Sequence, residues 1–166
     1  MSGVPLRTLV VDDSSAVRKL LSEVLRERGH EVTEVGSAEE ALGAHARRPF
    51  QLMLVDWTLP GMSGLGLCQA VRGQAGGEDV IILVITGRNR GGDLQTVLDA
   101  GASDYLRKPI DPEALETRLL MAERAVEHNA RRAAERKEME SRLAFADRMS
   151  SVGTLTAGVA HELNNP

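Results

Sequence analysis

Leu52-Met53-Leu54-Val55-Asp56-Trp57-Thr58-Leu59-Pro60-Gly61 decides the reading of this chain. The apolar run carries no charge until Asp56, and Pro60 and Gly61 then break regular structure. A run of this length between turn residues predicts a strand buried on both faces of a parallel sheet. Asp56 then stands at the carboxyl end of that strand, the edge where open α/β sheets place their ligands. An isolated Asp in such a place usually does no more than cap the next turn.

Other chemistry converges on the same edge. Leu9-Val10-Val11-Asp12-Asp13 is a second apolar run, ending in two carboxylates. Taken alone, the pair has a lesser alternative reading as the start of the following helix, where Asp is favoured. Together with Asp56, three carboxylates repel one another unless a cation sits among them. A hard divalent ion with oxygen ligands, Mg²⁺, relieves that repulsion. Val80-Ile81-Ile82-Leu83-Val84-Ile85-Thr86 predicts a further buried strand, ending in a hydroxyl. Asp104-Tyr105-Leu106-Arg107-Lys108-Pro109 predicts a short strand ending in an ammonium. Carboxylates, a hydroxyl and an ammonium at successive strand ends make a site for a phosphoryl group on an acid. Asp56 is the expected nucleophile. Mg²⁺ and Lys108 would neutralise the phosphoryl oxygens, and Thr86 would donate a hydrogen bond to one of them.

These residues resemble the response-regulator receiver family. The match is carried by Asp12-Asp13, Asp56, the loop Leu59-Pro60-Gly61-Met62-Ser63-Gly64, Thr86, Tyr105 and Lys108-Pro109, and spans about residues 5–120. The resemblance implies that Asp56 is the phospho-acceptor. It also implies that Asp13, Asp56 and the backbone carbonyl of Thr58 bind Mg²⁺ directly, with Asp12 acting through water. Thr86 and Tyr105 become the two switch residues. Gly87-Arg88-Asn89-Arg90-Gly91-Gly92 departs from the family in being basic and glycine-rich.

Working outward, strands and helices alternate five times. Leu6 to Val11, Glu31 to Val35, Leu52 to Asp56, Val80 to Thr86 and Asp104 to about Leu106 read as strands. The first helix has Ser14 or Ser15 as its cap, apolar positions Val17, Leu20, Leu21, Val24 and Leu25, and Gly29 at its stop. Ser37 and Glu40 read as a capping box for a helix through about Arg47. Helices over 65–72 and 93–100 follow, and Asp111 with Pro112 starts a fifth. Such alternation predicts a parallel sheet with helices on both faces. The resemblance specifies it as a flavodoxin-like (βα)5 receiver of strand order 2-1-3-4-5.

Composition narrows the rest. The 166 residues allow one domain and an appendage, and a formal net charge of -4 argues against nucleic acid as a partner. The single cysteine excludes a disulfide framework, and no apolar run approaches the ~20 residues of a membrane span. A cytoplasmic location fits.

After Pro112 the sequence becomes a long helix. Residues 112–148 hold eight Lys/Arg and eight Asp/Glu, with Glu127/Arg131 and Glu138/Arg142 in the favourable i,i+4 order. Leu119, Ala122, Val126, Asn129 and Ala133 follow the 3–4 spacing of a coiled-coil seam. Met139, Leu143 and Ala146 continue it in another register, the mark of a stutter or stammer. Three regions are expected: a receiver over 1–120, a helical coiled-coil linker over 121–148, and a further helix over 149–166. The seam predicts a parallel homodimer.

In the last region, Met149, Val152, Thr156, Val159 and Leu163 form a helical stripe from which His161 is excluded. Glu162 is placed to accept a proton from the imidazole and make it a better nucleophile. Asn165, one turn on, is placed to position a water. His161-Glu162-Leu163-Asn164-Asn165-Pro166 resembles the H-box of sensor histidine kinases. That resemblance makes His161 a second phospho-acceptor, Glu162 its acid/base partner and Asn165 a dephosphorylation residue. The expected function is phosphorelay signalling by the N-terminal part of a hybrid histidine kinase. Its phosphodonor would be a histidine kinase or phosphotransfer protein. No Gly-rich nucleotide loop is present. The alternatives are a stand-alone response regulator with an oligomerising tail and an aspartyl-phosphate phosphohydrolase. The latter needs an acid two residues after its nucleophile, where Thr58 stands.

Overall fold

The computed structural model describes residues 3–87 and 93–163, with side chains for all of these except 93 and 152–163. In chain order the elements are β1 (Arg7–Val11), α1 (Ser15–Glu27), β2 (Glu31–Val35), α2 (Ala38–Arg47), β3 (Leu52–Asp56) and α3 (Gly64–Arg72). A 3₁₀ turn (Gly77–Asp79), β4 (Ile81–Thr86), α4 (Asp93–Asp99), β5 (Asp104–Arg107) and α5 (Pro112–Leu163) complete them. The five strands are parallel, in the flavodoxin-like order β2-β1-β3-β4-β5 expected from the sequence.

Register puts the chemistry together. Val11 pairs with Val55, Asp56 with Ile85, and Thr86 with Arg107, so β1, β3, β4 and β5 finish at one edge. Burial is complete along β3, as its unbroken apolar run requires. Alternate side chains serve two cores. Leu9, Val11, Met53 and Val55 pack with Leu67 and Val71 of α3. Val10, Leu52 and Leu54 pack with Leu21 and Leu25 of α1 and with α5.

The helix ends obey local chemistry. Ser14 is the cap of α1, accepting from Val17 N–H, and Gly29 stops the helix at φ +90°. Ser37 Oγ accepts from Glu40 N–H at 3.2 Å, but the Glu40 carboxylate reaches back to Gly36 N–H rather than to the cap. Leu20 departs from its expected place on the buried face and is 50% exposed. It lies about 100° around the helix from Leu21, which takes the core position.

α5 brings the larger correction. Leu119, Ala122 and Val126, read as the start of a coiled-coil seam, lie in the core beside Leu6, Val10, Leu21 and Leu25. A 3–4 stripe reports that a helix face is buried and not what covers it. The chain divides into two compact units, Met1–Glu127 and His128–Pro166. Ala122 and Val126 therefore serve the first unit, although they follow residue 120. No helix among the described residues is long and apolar enough to cross a membrane.

Candidate active site at the carboxyl edge of the sheet

Asp12 leaves β1 directly and is buried. Its Oδ1 accepts from Ser14 N–H at 2.8 Å, and its backbone carbonyl accepts from Arg18 at 2.6 Å. Asp56 closes β3, also buried, with Oδ1 accepting from Thr58 N–H at 3.1 Å. Asp13, beside them, is exposed. The three carboxylates offer oxygens that all lie within 4.8 Å of one another.

Lys108 reaches this cluster from the segment after β5. Its Nζ stands 3.1 Å from Asp56 Oδ2 and 3.3 Å from Asp12 Oδ2. Its backbone N–H donates to the Thr86 carbonyl at 2.8 Å, tying the lysine-bearing segment to the end of β4. The Lys108–Pro109 peptide is cis. Thr86 is buried at the same edge. Tyr105 is half-buried on β5, with the Arg107 guanidinium 6.0 Å from its ring centre.

Charge is unevenly balanced here. Burial pushes the Asp12 carboxyl up, and the neighbouring Asp56 charge adds to that push. The Ser14 N–H and Lys108 oppose the shift without reversing it. Burial acts to lower the Lys108 ammonium, but contact with Asp56 and Asp12 outweighs it and holds the group above its ordinary value. One ammonium facing three clustered carboxylates leaves room for more positive charge. Hard oxygen donors at this spacing fit Mg²⁺.

Two features of the site had no structural role in the sequence reading, Gly64 entering only as part of the matching loop. A Cβ on Gly64 would lie 2.1 Å from the Asp56 carbonyl oxygen, so α3 can begin against the nucleophile's backbone only at glycine. Gly64 N–H then donates to the Trp57 carbonyl at 2.9 Å. Arg18 also went unread. It acts on a backbone carbonyl, which leaves no trace in a residue pattern.

A family model described as the response regulator receiver domain matches residues 8–120. The chain belongs to this family. It is 41% identical over 133 residues to the transcriptional regulatory protein AruR of Pseudomonas aeruginosa, covering 77% of this chain and 53% of that protein. It is 42% identical over 114 residues to the two-component response regulator PhoP of the same organism, covering 69% and 50%. A response regulator structure from Chloroflexus aurantiacus superposes with a TM-score of 0.68 at 34% identity, over 72% of this chain and 98% of that one. The chain spans about half the length of these curated relatives.

Receiver domains take phosphate from histidine kinases or phosphotransfer proteins and bind Mg²⁺ at an acidic pocket of this kind. The receiver brings Asp12, Asp13, Asp56 and Lys108 together, with Thr86 at the same edge. Thr58 enters through its N–H. His161 and Glu162 fall within α5, but their side chains lie outside the described residues, as do Asn165 and the basic stretch 88–92.

Proposed function

We propose that Asp56 accepts a phosphoryl group from a phosphohistidine donor. The observation carrying this is Lys108 Nζ held between the Asp56 and Asp12 carboxylates, beside the exposed Asp13. An Asp56 oxygen attacks phosphorus, the P–N bond breaks, and the donor imidazole leaves and takes up a proton. Lys108 neutralises phosphoryl oxygens, and the Thr86 hydroxyl hydrogen-bonds to one. Mg²⁺, when bound, offsets charge on those oxygens. Asp13, Asp56 and the Thr58 carbonyl would hold it, with Asp12 linked through water. Thr86 and Tyr105 act as the switch pair.

In this reading the receiver is the front of a cytoplasmic hybrid histidine kinase. A helical linker over about 128–148 leads to a phospho-acceptor segment over 149–166, where His161 accepts phosphate with Glu162 and Asn165 assisting. The partner along the helix is a second, parallel copy. A polar helix with Met139, Leu143, Phe145 and Met149 exposed has little to stabilise it alone. A second reading, a stand-alone response regulator whose helix only oligomerises, draws on the response-regulator identity of the relatives.

The test is labelling by acetyl phosphate with Mg²⁺. A long-lived acyl phosphate on the wild type and none on Asp56→Asn is expected. Intact labelling of Asp56→Asn would remove the assignment. His161→Gln in the full-length parent protein separates the two readings, because only a kinase loses ATP-dependent autophosphorylation.

A further inference from the structure

The loop between β3 and α3 directly follows Asp56 and carries the Thr58 carbonyl, and its shape decides where that carbonyl points. Its ends are fixed by its own backbone. Trp57 N–H donates to Ile85 O at 2.9 Å, and Gly64 N–H donates to Trp57 O at 2.9 Å. Leu59 is buried in the core, and Ser63 caps α3 by accepting from Gly66 N–H at 3.1 Å. Among the described residues, the hydrogen bond reaching the loop's tip from another element comes from Glu39 in the first turn of α2. Its Oε1 accepts from Met62 N–H at 3.0 Å. Beside it, Gly61 has φ +74°, and a Cβ there would lie 2.8 Å from the same oxygen. The loop has thus left space for this carboxylate on its own backbone. The bond also holds the Glu39 carboxyl below its ordinary value, as expected of an acceptor preferred in its charged form.

We infer that Glu39 is a positioning residue for the Mg²⁺ site, clamping the Gly61–Met62 tip so that the Thr58 carbonyl faces the metal. The inference rests on the metal site proposed above. Backbone atoms cannot be tuned by substitution, so their placement depends on such outside supports. Groups hydrogen-bonded directly to metal ligands commonly change affinity by about ten- to hundredfold, and Glu39, one step further out, acts below that range.

Trp57, the chain's one tryptophan, directly follows Asp56 and offers a fluorescence signal for Mg²⁺ titration, with calorimetry as an independent readout. Glu39→Ala should weaken Mg²⁺ binding by roughly threefold, less than loss of a direct partner of a ligand. Glu39→Gln keeps an acceptor oxygen while losing the charge near the α2 N-terminus, and should recover only part of the lost affinity, because an amide oxygen is a weaker acceptor than a carboxylate. Thermal unfolding of each variant records any general loss of structure, including the charge effect on α2, which Gln does not repair. Asp13→Asn is the control for the site itself. If Asp13→Asn leaves Mg²⁺ affinity unchanged, the metal-site reading fails, and this inference with it. If Asp13→Asn weakens binding but Glu39→Ala does not, Glu39 has no positioning role. If Gln is as weak as Ala, charge rather than the clamp governs binding, and the inference is overturned.

Discussion

Replacing Glu123 by Ala should cost the receiver about 3 kcal/mol, judged from the partners it leaves behind. Arg28 Nε and Nη2 clasp the two Glu123 oxygens at 2.7 and 2.8 Å. His30 Nδ1 accepts from Leu6 N–H at 3.2 Å, so its ring proton sits on Nε2, 2.8 Å from Glu123 Oε1. One carboxylate thereby joins α5 to the end of α1 and the start of β1. The side chains of Arg28, Glu123 and His30 are 21%, 15% and 2% exposed. Breaking a fully buried ion pair costs about 3–5 kcal/mol, and the partial exposure of this one reduces that to about 2 kcal/mol. Leaving the His30 N–H without its acceptor adds about 1 kcal/mol. For a unit of this size the sum lowers Tm by roughly 10 °C. Urea unfolding followed by Trp57 fluorescence measures the loss. A double-mutant cycle with Arg28→Ala isolates the pair, and its coupling should exceed about 1 kcal/mol. Burial acts to raise the Glu123 carboxyl, but Arg28 and His30 outweigh it and hold the group below its ordinary 4.5. The unfolded chain therefore takes up this proton first. The contribution is complete above about pH 4.5 and is lost as pH falls through the lower folded value. Glu123→Gln should flatten the acid limb of stability. A loss under about 1 kcal/mol, or an unchanged limb, would refute the clamp, since either falls outside what a partly buried charged pair predicts.

Gly64→Ala should destabilise by on the order of 3 kcal/mol or more and lose acetyl-phosphate labelling, because its Cβ meets the Asp56 carbonyl oxygen at 2.1 Å. Thr8→Val and Ser22→Ala should each stabilise the receiver by about 1 kcal/mol in urea unfolding, since both buried hydroxyls lack a hydrogen-bond partner among the described residues. Burial and then the Arg7 charge hold the His45 imidazole below its ordinary 6.5, while its Nδ1 accepts from Phe50 N–H at 3.1 Å. The unfolded chain binds this proton more readily, so stability should decline as pH falls below about 6.5, and His45→Gln should remove that part of the slope between pH 7.5 and 5.

The parallel sheet and its acid edge were legible in the residues, while the strand order came only with the family resemblance. Charges at the ends of apolar runs, as at Asp12 and Asp56, have few places to go in a parallel sheet except its carboxyl edge. The capping signals at Ser14, Ser37 and Asp111 were legible because they act within a few residues. Contacts set by three-dimensional approach were not. Gly64 belongs to the matching loop, but its close approach to the Asp56 carbonyl is seen only in three dimensions. Glu39 reads as an ordinary acid in a helix's first turn until Met62 N–H reaches it. Leu20 was misplaced because five apolar residues occupy a helix face wide enough for four.

The α5 stripe failed in the same way, and its correction changes how dimerisation must be tested. Leu119, Ala122 and Val126 are committed to the receiver core, so they are not free to meet a second copy. A seam can draw only on later residues, and Met139, Leu143 and Met149 are 58%, 62% and 53% exposed. Ending the chain near residue 120 removes Ala122, Glu123 and Val126, and would confuse lost association with a damaged core. Ending it after Glu127 keeps the first compact unit whole. That shorter chain should be folded and monomeric by light scattering, while the full chain is dimeric. Leu143→Glu should dissociate the full chain and leave receiver unfolding unchanged, because it places a charge in the seam alone. Leu119→Ala should do the opposite, costing about 3 kcal/mol of receiver stability without shifting the monomer–dimer equilibrium. A full chain that stays monomeric at high micromolar concentration would refute the parallel dimer. A dimer that survives Leu143→Glu but dissociates with Leu119→Ala would place the interface on the receiver instead.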